Sequence, residues 1–139
     1  MLVNTTHIND YIPQRSPFVM IDSLESADEF GFIGRFLVRE NHLFLKANVL
    51  GEEALIESLA QTCAAGFCYS AKEKGRNGNG LGFIGAVSKL TVSGTAILGD
   101  ELVMKIKLLN SFDKIQLIEG TVFVTSKSIL NCQMKIVTP

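Results

Sequence analysis

The sequence predicts an α+β protein, a curved antiparallel sheet of five to six strands wrapped around one long central helix. Three observations carry this reading. The segment Ala54–Tyr69, ALIESLAQTCAAGFCY, is long enough for a helix and apolar on every side of it, and such a helix belongs in an interior rather than on a surface. The chain after it is rich in β-branched and aromatic runs separated by turn residues, the pattern of successive strands. Two strand-like runs precede it. A sheet that must hide a helix apolar all round has to curl around it.

Taken in order, Thr5 or Thr6 is placed to cap one short helical turn through Tyr11, which Pro13 ends. Phe18–Asp22 reads as an apolar strand, and Phe30–Val38 as its partner across the turn Ala27-Asp28-Glu29. Irregular chain is expected from Arg39 to Leu50. The helix starts near Gly51, with Glu52 and Glu53 in its first turn where negative charge complements the dipole, and ends at Lys72-Glu73-Lys74 before Gly75. Gly75–Gly82, GRNGNGLG, reads as a flexible loop without phosphate-binding spacing. The strands that follow are Phe83–Val92, Glu101–Asn110, Ile115–Thr125 and Ile129–Val137. Met104, Ile106 and Leu108 alternate with Lys105 and Lys107, giving that strand one buried and one wet face. No internal repeat is present. Two strands, a buried helix and four antiparallel strands make a hotdog fold, expected as a single domain over 1–139 that pairs edge to edge.

Composition sets bounds on function. The chain has 139 residues, 47% of them hydrophobic, which suffices for one well-formed core. A net charge of −1 supplies no basic field for nucleic acid. Three cysteines, an odd number without tight pairing, fit reduced thiols in a cytoplasmic setting, and their spacing matches no zinc pattern. No run is long and apolar enough to span a bilayer, and the first residues carry no signal-peptide pattern.

The anomaly in the helix is Glu57. An unpaired carboxylate among apolar side chains costs several kcal/mol or changes its protonation, which is the environment that general acid–base chemistry uses. Gln61 lies four residues on and shares its face. The alternative is a Glu at the wet N-terminal end of the helix, stabilised by the dipole.

Three segments resemble the hotdog 3-hydroxyacyl-ACP dehydratases of fatty-acid synthesis. Tyr11–Asp22, YIPQRSPFVMID, is similar to the family opening L-P-H-R-x-P-F-L-L-V-D. Leu55–Gln61, LIESLAQ, is similar to the helix signature L-x-E-A-x-A-Q. Gly82–Ala86 followed by Leu98–Leu102 resembles the later strand pair with its P-G-D-x-L turn. The resemblance implies a trans-2-enoyl thioester formed by loss of water from C2 and C3. It implies that a histidine of a G-H-F-P-G loop takes the C2 proton, and that a helix carboxylate from the other subunit of a dimer protonates the leaving hydroxyl. Glu57 matches the carboxylate, and Gln61 the glutamine of the signature. Main-chain donors near Gly51, Glu52, Glu53 and Gly85 would hold the thioester carbonyl. No metal or resident cofactor is implied, since the substrate rides on the phosphopantetheine of an acyl carrier protein or on CoA.

The chain departs from this pattern at both histidines. Gln14 stands in the opening segment, and no G-H-F-P-G precedes the helix. Aligned without a gap, Leu43 falls on the histidine position and His42 lies beside it, a candidate substitute base whose alternative is a solvated loop residue. These departures are themselves similar to a divergent dehydratase-like branch that accompanies aryl-polyene and flexirubin pigment clusters. Arg15, near the expected mouth, is a candidate for a phosphate or a partner carboxylate, and Lys72, Lys74 and Arg76 for an acidic carrier protein. Asp22 reads as a turn residue. The expected function is dehydration of a carrier-bound 3-hydroxyacyl thioester. The alternatives are a non-catalytic hotdog subunit in a mixed dimer with a catalytic partner, and a hotdog thioesterase in which Glu57 activates water. The expected assembly is a homodimer, a higher hotdog oligomer or that mixed dimer.

Overall fold

A computed structural model describes residues 1–76 and 83–137. The long helix α1, Glu52–Glu73, runs through the concave side of a six-stranded antiparallel sheet. The strands are β1 (Ser23–Ala27), β2 (Gly31–Leu37), β5 (Phe83–Val92), β7 (Glu101–Phe112), β8 (Ile115–Val124) and β9 (Lys127–Val137), in the spatial order β1-β2-β7-β8-β9-β5. A second small sheet joins the two-residue strands β3 (Leu45–Lys46), β4 (Val49–Leu50) and β6 (Ala96–Ile97). This is the expected hotdog architecture.

The helix is as interior as its composition requires. No residue from Ala54 to Ala71 is exposed, and Ala54, Leu55, Ser58, Leu59, Gln61, Thr62 and Cys63 are buried. Its two buried hydroxyls spend themselves locally, Ser58 donating to the Leu55 carbonyl and Thr62 to that of Ser58, so neither is left unsatisfied. Gly75, with φ of +72°, ends the helix in the left-handed region that glycine adopts without strain. Close approach to the sheet depends on missing side chains. A Cβ on Gly66 would meet the Phe32 ring, and one on Gly34 would meet Thr62 Oγ1 at 2.8 Å.

The later strand boundaries agree with the sequence to within two residues, because each is bracketed by turn chemistry. Thr125 and Ser126 turn β8 into β9 with positive φ at both positions, the geometry that suits a tight hairpin. Three expectations need correction. Phe18–Asp22 is not a strand; β1 begins at Ser23. Met20 and Ile21 are fully buried, yet the Phe18 carbonyl and Met20 amide bond to a helix side chain instead of a neighbouring strand. The segment Arg39–Leu50 is not wholly irregular, since β3 and β4 form a hairpin through Ala47 and Asn48, both with positive φ. The first turn is a 3-10 helix, Ile8–Asp10, and Asn4 rather than Thr5 or Thr6 accepts the His7 N–H. The expected loop Gly75–Gly82 falls, beyond Arg76, outside the described residues.

The two sheet edges differ. Val3 pairs with Leu24 on the outer side of β1, exchanging backbone hydrogen bonds of 2.9–3.0 Å. At the other edge every described side chain of β5 from Ile84 to Val92 is exposed, Ile84, Val87, Leu90 and Val92 among them. The main packing of α1 is on β1, β2, β7 and β8, so β5 extends past the helix that fills the rest of the concavity.

Gly66→Ala tests how tightly helix and sheet are fitted. Alanine gains about 1 kcal/mol of helix propensity, whereas forcing Phe32 aside costs about 1–3 kcal/mol. The expected net result is a lower urea midpoint with an unchanged slope.

Candidate active site

Glu57 lies one helical turn into α1, half-buried, and its Oε1 accepts a hydrogen bond of 3.0 Å from Gln61 Nε2. Gln61 is fully buried and uses its whole amide. Its Oε1 accepts the Met20 N–H at 2.6 Å, and Nε2 also donates to the Phe18 carbonyl at 2.9 Å. The orientation of the amide follows from these partners, because a backbone N–H requires the oxygen and a carbonyl requires the nitrogen. Glu57 therefore receives an N–H on one oxygen, and the described residues leave Oε2 without a hydrogen bond. The sequence paired Glu57 with Gln61 by spacing; the structure adds the opening loop as the third member.

Gly51 is the helix N-cap, extended at φ −69° and ψ 158°. Its own N–H is spent on the Phe44 carbonyl at 3.3 Å, so it offers no free donor. The N–H groups of Glu52 and Glu53 face the helix N-terminus, where no intrahelical acceptor exists. The Glu53 carboxylate folds back over Gly51, its Oε2 2.7 Å from where a Cβ would stand. That places a negative charge of the chain's own beside these donors. Gly85 lies at an irregularity in the register of β5, on the open edge of the sheet, and no hydrogen bond among the described residues joins it to Glu57.

His42 is half-buried in a different environment. It lines a cavity of about 290 Å³ with Ser16, Pro17, Phe36 and Arg39. Its ring meets Phe36 edge-on, with centroids 5.5 Å apart, and Phe44 at 5.8 Å. Nδ1 accepts the Phe44 N–H at 3.2 Å, so in the neutral ring the proton sits on Nε2. Nε2 is buried and has no partner. A general base needs an available lone pair, and the neutral ring has one, already engaged. His42 in this arrangement has its Nδ1 lone pair engaged by the backbone.

The remaining candidates bond to groups of their own chain. Arg15 donates to the carbonyls of Ile12 and Gln14, both at 2.8 Å, and braces its own loop. Lys72 donates to the Asp10 carbonyl at 3.1 Å and lies 4.2 Å from the Tyr11 ring centroid, which takes it out of a free basic cluster. Asp22 is not a simple turn residue. Its carboxylate accepts the Leu37 N–H at 2.7 Å and pairs with Arg39 at 2.9 Å. Gln14 Oε1 is buried without a partner, a second unsatisfied polar atom that the sequence did not signal. Among the described residues, no cluster of three or more His, Cys, Asp or Glu side chains is placed to hold a metal ion, and no helix is long and apolar enough to cross a membrane.

Two of the buried thiols are held towards their protonated form. Burial, and then the neighbouring Cys132, push the Cys63 thiol far above its usual range, and burial raises Cys132 as well. A raised thiol keeps its proton in the folded state while the unfolded chain ionises normally. Stability from this source is complete below about pH 9 and declines as the pH rises further. Urea titrations at about pH 8 and about pH 10 are expected to show this loss, reduced in Cys63→Ala. A second expectation concerns the amide bridge. Gln61→Leu strands the Met20 N–H and the Phe18 carbonyl in the interior, and the urea midpoint is expected to fall by an amount worth about 2–4 kcal/mol.

A family model described as ApeP dehydratase, ApeP-like, matches residues 6–139. The dehydratase heterocomplex ApeI:P from Xenorhabdus doucetiae superposes with a TM-score of 0.88 at 18% identity, over 95% of this chain and 90% of that one. Cj0977, a sigma28-regulated virulence protein from Campylobacter jejuni, gives 0.72 at 10% identity, over 97% and 89%. A hypothetical thioesterase from Streptococcus pneumoniae with coenzyme A gives 0.66 at 12%, over 84% of each chain. At these identities the superpositions speak for the fold. No protein of curated function matches the sequence. The family match spans nearly the whole chain and agrees with the resemblance carried by the opening loop and the Glu57 helix. The chain belongs to the ApeP-like dehydratase family.

Proposed function

We propose that this chain is the carboxylate-bearing subunit of a two-subunit hotdog dehydratase that acts on a 3-hydroxyacyl thioester carried on phosphopantetheine. The observation that carries the reading is an asymmetry. Among the described residues Glu57 is positioned by Gln61 with its other oxygen free, whereas the ring lone pair of His42 is bound to the Phe44 N–H. Elimination of water needs two proton transfers, one from C2 to a base and one from an acid to the 3-hydroxyl. Glu57 Oε2 delivers the proton to the departing oxygen as the C3–O bond breaks. The base that removes the C2 proton comes from a histidine of the partner subunit. The C2–H electron pair becomes the C2–C3 double bond, and water and the enoyl thioester leave. The N–H groups of Glu52 and Glu53 face the thioester oxygen once the exposed Glu53 side chain swings off Gly51.

The open β5 edge is where the partner strand pairs. It supplies the unpaired backbone and the uncovered apolar side chains that an edge-to-edge hotdog pair buries. The comparison with the ApeI:P heterocomplex supports a second, different hotdog subunit. Unassisted turnover by a homodimer and thioester hydrolysis are the competing outcomes.

The test is reconstitution with a hotdog protein of the same genome that keeps an intact G-H-F-P-G loop, assayed on a 3-hydroxyacyl-ACP. The complex is expected to form enoyl-ACP and the lone chain none. Glu57→Gln is expected to lower the rate by about a hundredfold or more, and His42→Ala to leave it within about threefold. Full activity of the lone chain would remove the two-subunit reading. Equal rates for Glu57→Gln and wild type would remove Glu57 from the chemistry, and free acid with free carrier would establish hydrolysis.

A further inference from the structure

The open edge strand β5 is neither regular nor neutral. Its register against β9 slips twice. Ile84 faces Ile136 and Ala86 faces Lys135, which leaves Gly85 without an opposite residue. Ser88 faces Gln133 and Thr91 faces Asn131, which sets Lys89 and Leu90 together against Cys132 alone. Two residues against one make a β-bulge, and in one common type the first of the two is a left-handed glycine. Here that position is Lys89, with φ of +51°. Between the two slips only Ala86, Val87 and Ser88 keep unbroken register. A bulge twists an edge strand out of line, and a lysine placed on an edge discourages a further strand from adding to it.

Charge points the same way. Lys89 is the one charged residue of β5, FIGAVSKLTV, and β9, KSILNCQMKIV, adds Lys127 and Lys135 without an aspartate or glutamate. None of the three lysines is in an ion pair among the described residues. Across β9 the next carboxylate is Glu119 of β8, opposite Gln133. Lys89 is exposed together with the apolar Val87 and Leu90, so a strand that covers those side chains also meets the ammonium. A second copy of β5 brings another lysine to that seam and no acid. Like charges across paired strands are destabilising, and opposite charges stabilising.

We infer that Lys89 selects the partner: β5 takes the edge strand of a different subunit that presents a carboxylate to Lys89, and it resists a second copy of itself. The inference rests on the pairing at β5 proposed above and names the chemistry of the strand that pairs there. Ile84, Val87, Leu90 and Val92 supply apolar surface that any strand can bury. The ammonium between them decides which strand is accepted.

Sedimentation equilibrium of the full chain tests this without substrate. A 1:1 mixture of wild type and Lys89→Glu is expected to associate at least about threefold more tightly than either protein alone. Lys89→Asn removes the charge and suits the left-handed backbone; it is expected to self-associate at least about threefold more tightly than wild type. Raising salt from about 50 mM to about 500 mM is expected to weaken the mixed pair and strengthen the wild-type self-pair, because exposed charges are screened. Affinity for the histidine-loop subunit used in reconstitution is expected to fall at least about tenfold in Lys89→Glu. Equal self-association of wild type and Lys89→Asn, a mixed pair no tighter than its separate components, or equal affinity of that subunit for wild type and Lys89→Glu overturns the selection by Lys89. A complex that shows these charge dependences and yields no enoyl product removes the dehydration and leaves the selection standing, so the two readings fail separately.

Discussion

The buried amide of Gln61 is the contact on which the arrangement depends. It lies where the helix, the opening loop and the single carboxylate of the helix interior meet, and each of its polar atoms has a partner. A glutamine in an apolar core is costly when even one of these bonds is missing. Satisfied, it fixes the loop against the helix and decides which oxygen of Glu57 is engaged. Fold and candidate site thus share one side chain: the group that completes the backbone bonding of Phe18–Met20 also positions the Glu57 carboxylate.

The rest of the structure holds that contact in place by close fitting. The sheet can wrap the helix because glycines stand where the two approach most closely, Gly34 against Thr62, Gly66 against Phe32 and Gly120 against Leu59. A densely packed helix with no exposed side chain along its middle turns has little freedom to rotate. Glu57 inherits that rigidity through its backbone and needs only one hydrogen bond to be aimed. By contrast, the candidate residues on irregular chain, Arg15 and His42, are held by carbonyls and amides of their own loops.

Much of this was legible in the sequence, for reasons that differ by element. The helix and the last four strands show themselves by length, composition and flanking turns, which are local properties. The pairing of Glu57 with Gln61 follows from helical spacing. Phe18–Asp22 misleads because an apolar run looks the same whether its backbone bonds to a strand or to a side chain. The hairpin of β3 and β4 is two residues a side, too short to show a period. The state of the His42 ring depends on the Phe44 amide, and no spacing rule reports a ring's orientation. Family resemblance located the carboxylate, whereas the engagement of His42 Nδ1 by the Phe44 amide could be seen only in the structure.

The unequal edges of the sheet have a further consequence. The N-terminal arm bridges the outer side of β1 at Val3 and Leu24, while none of the described residues covers β5. A sheet with two bare edges can be extended from both sides, and repeated addition builds an open-ended fibre. With one edge already taken, strand addition at β5 joins two sheets and leaves a closed arm at each outer end when the partner is built alike. The bridge between Val3 and Leu24 thereby covers part of the outer edge of β1, which disfavours growth of the ladder from that side.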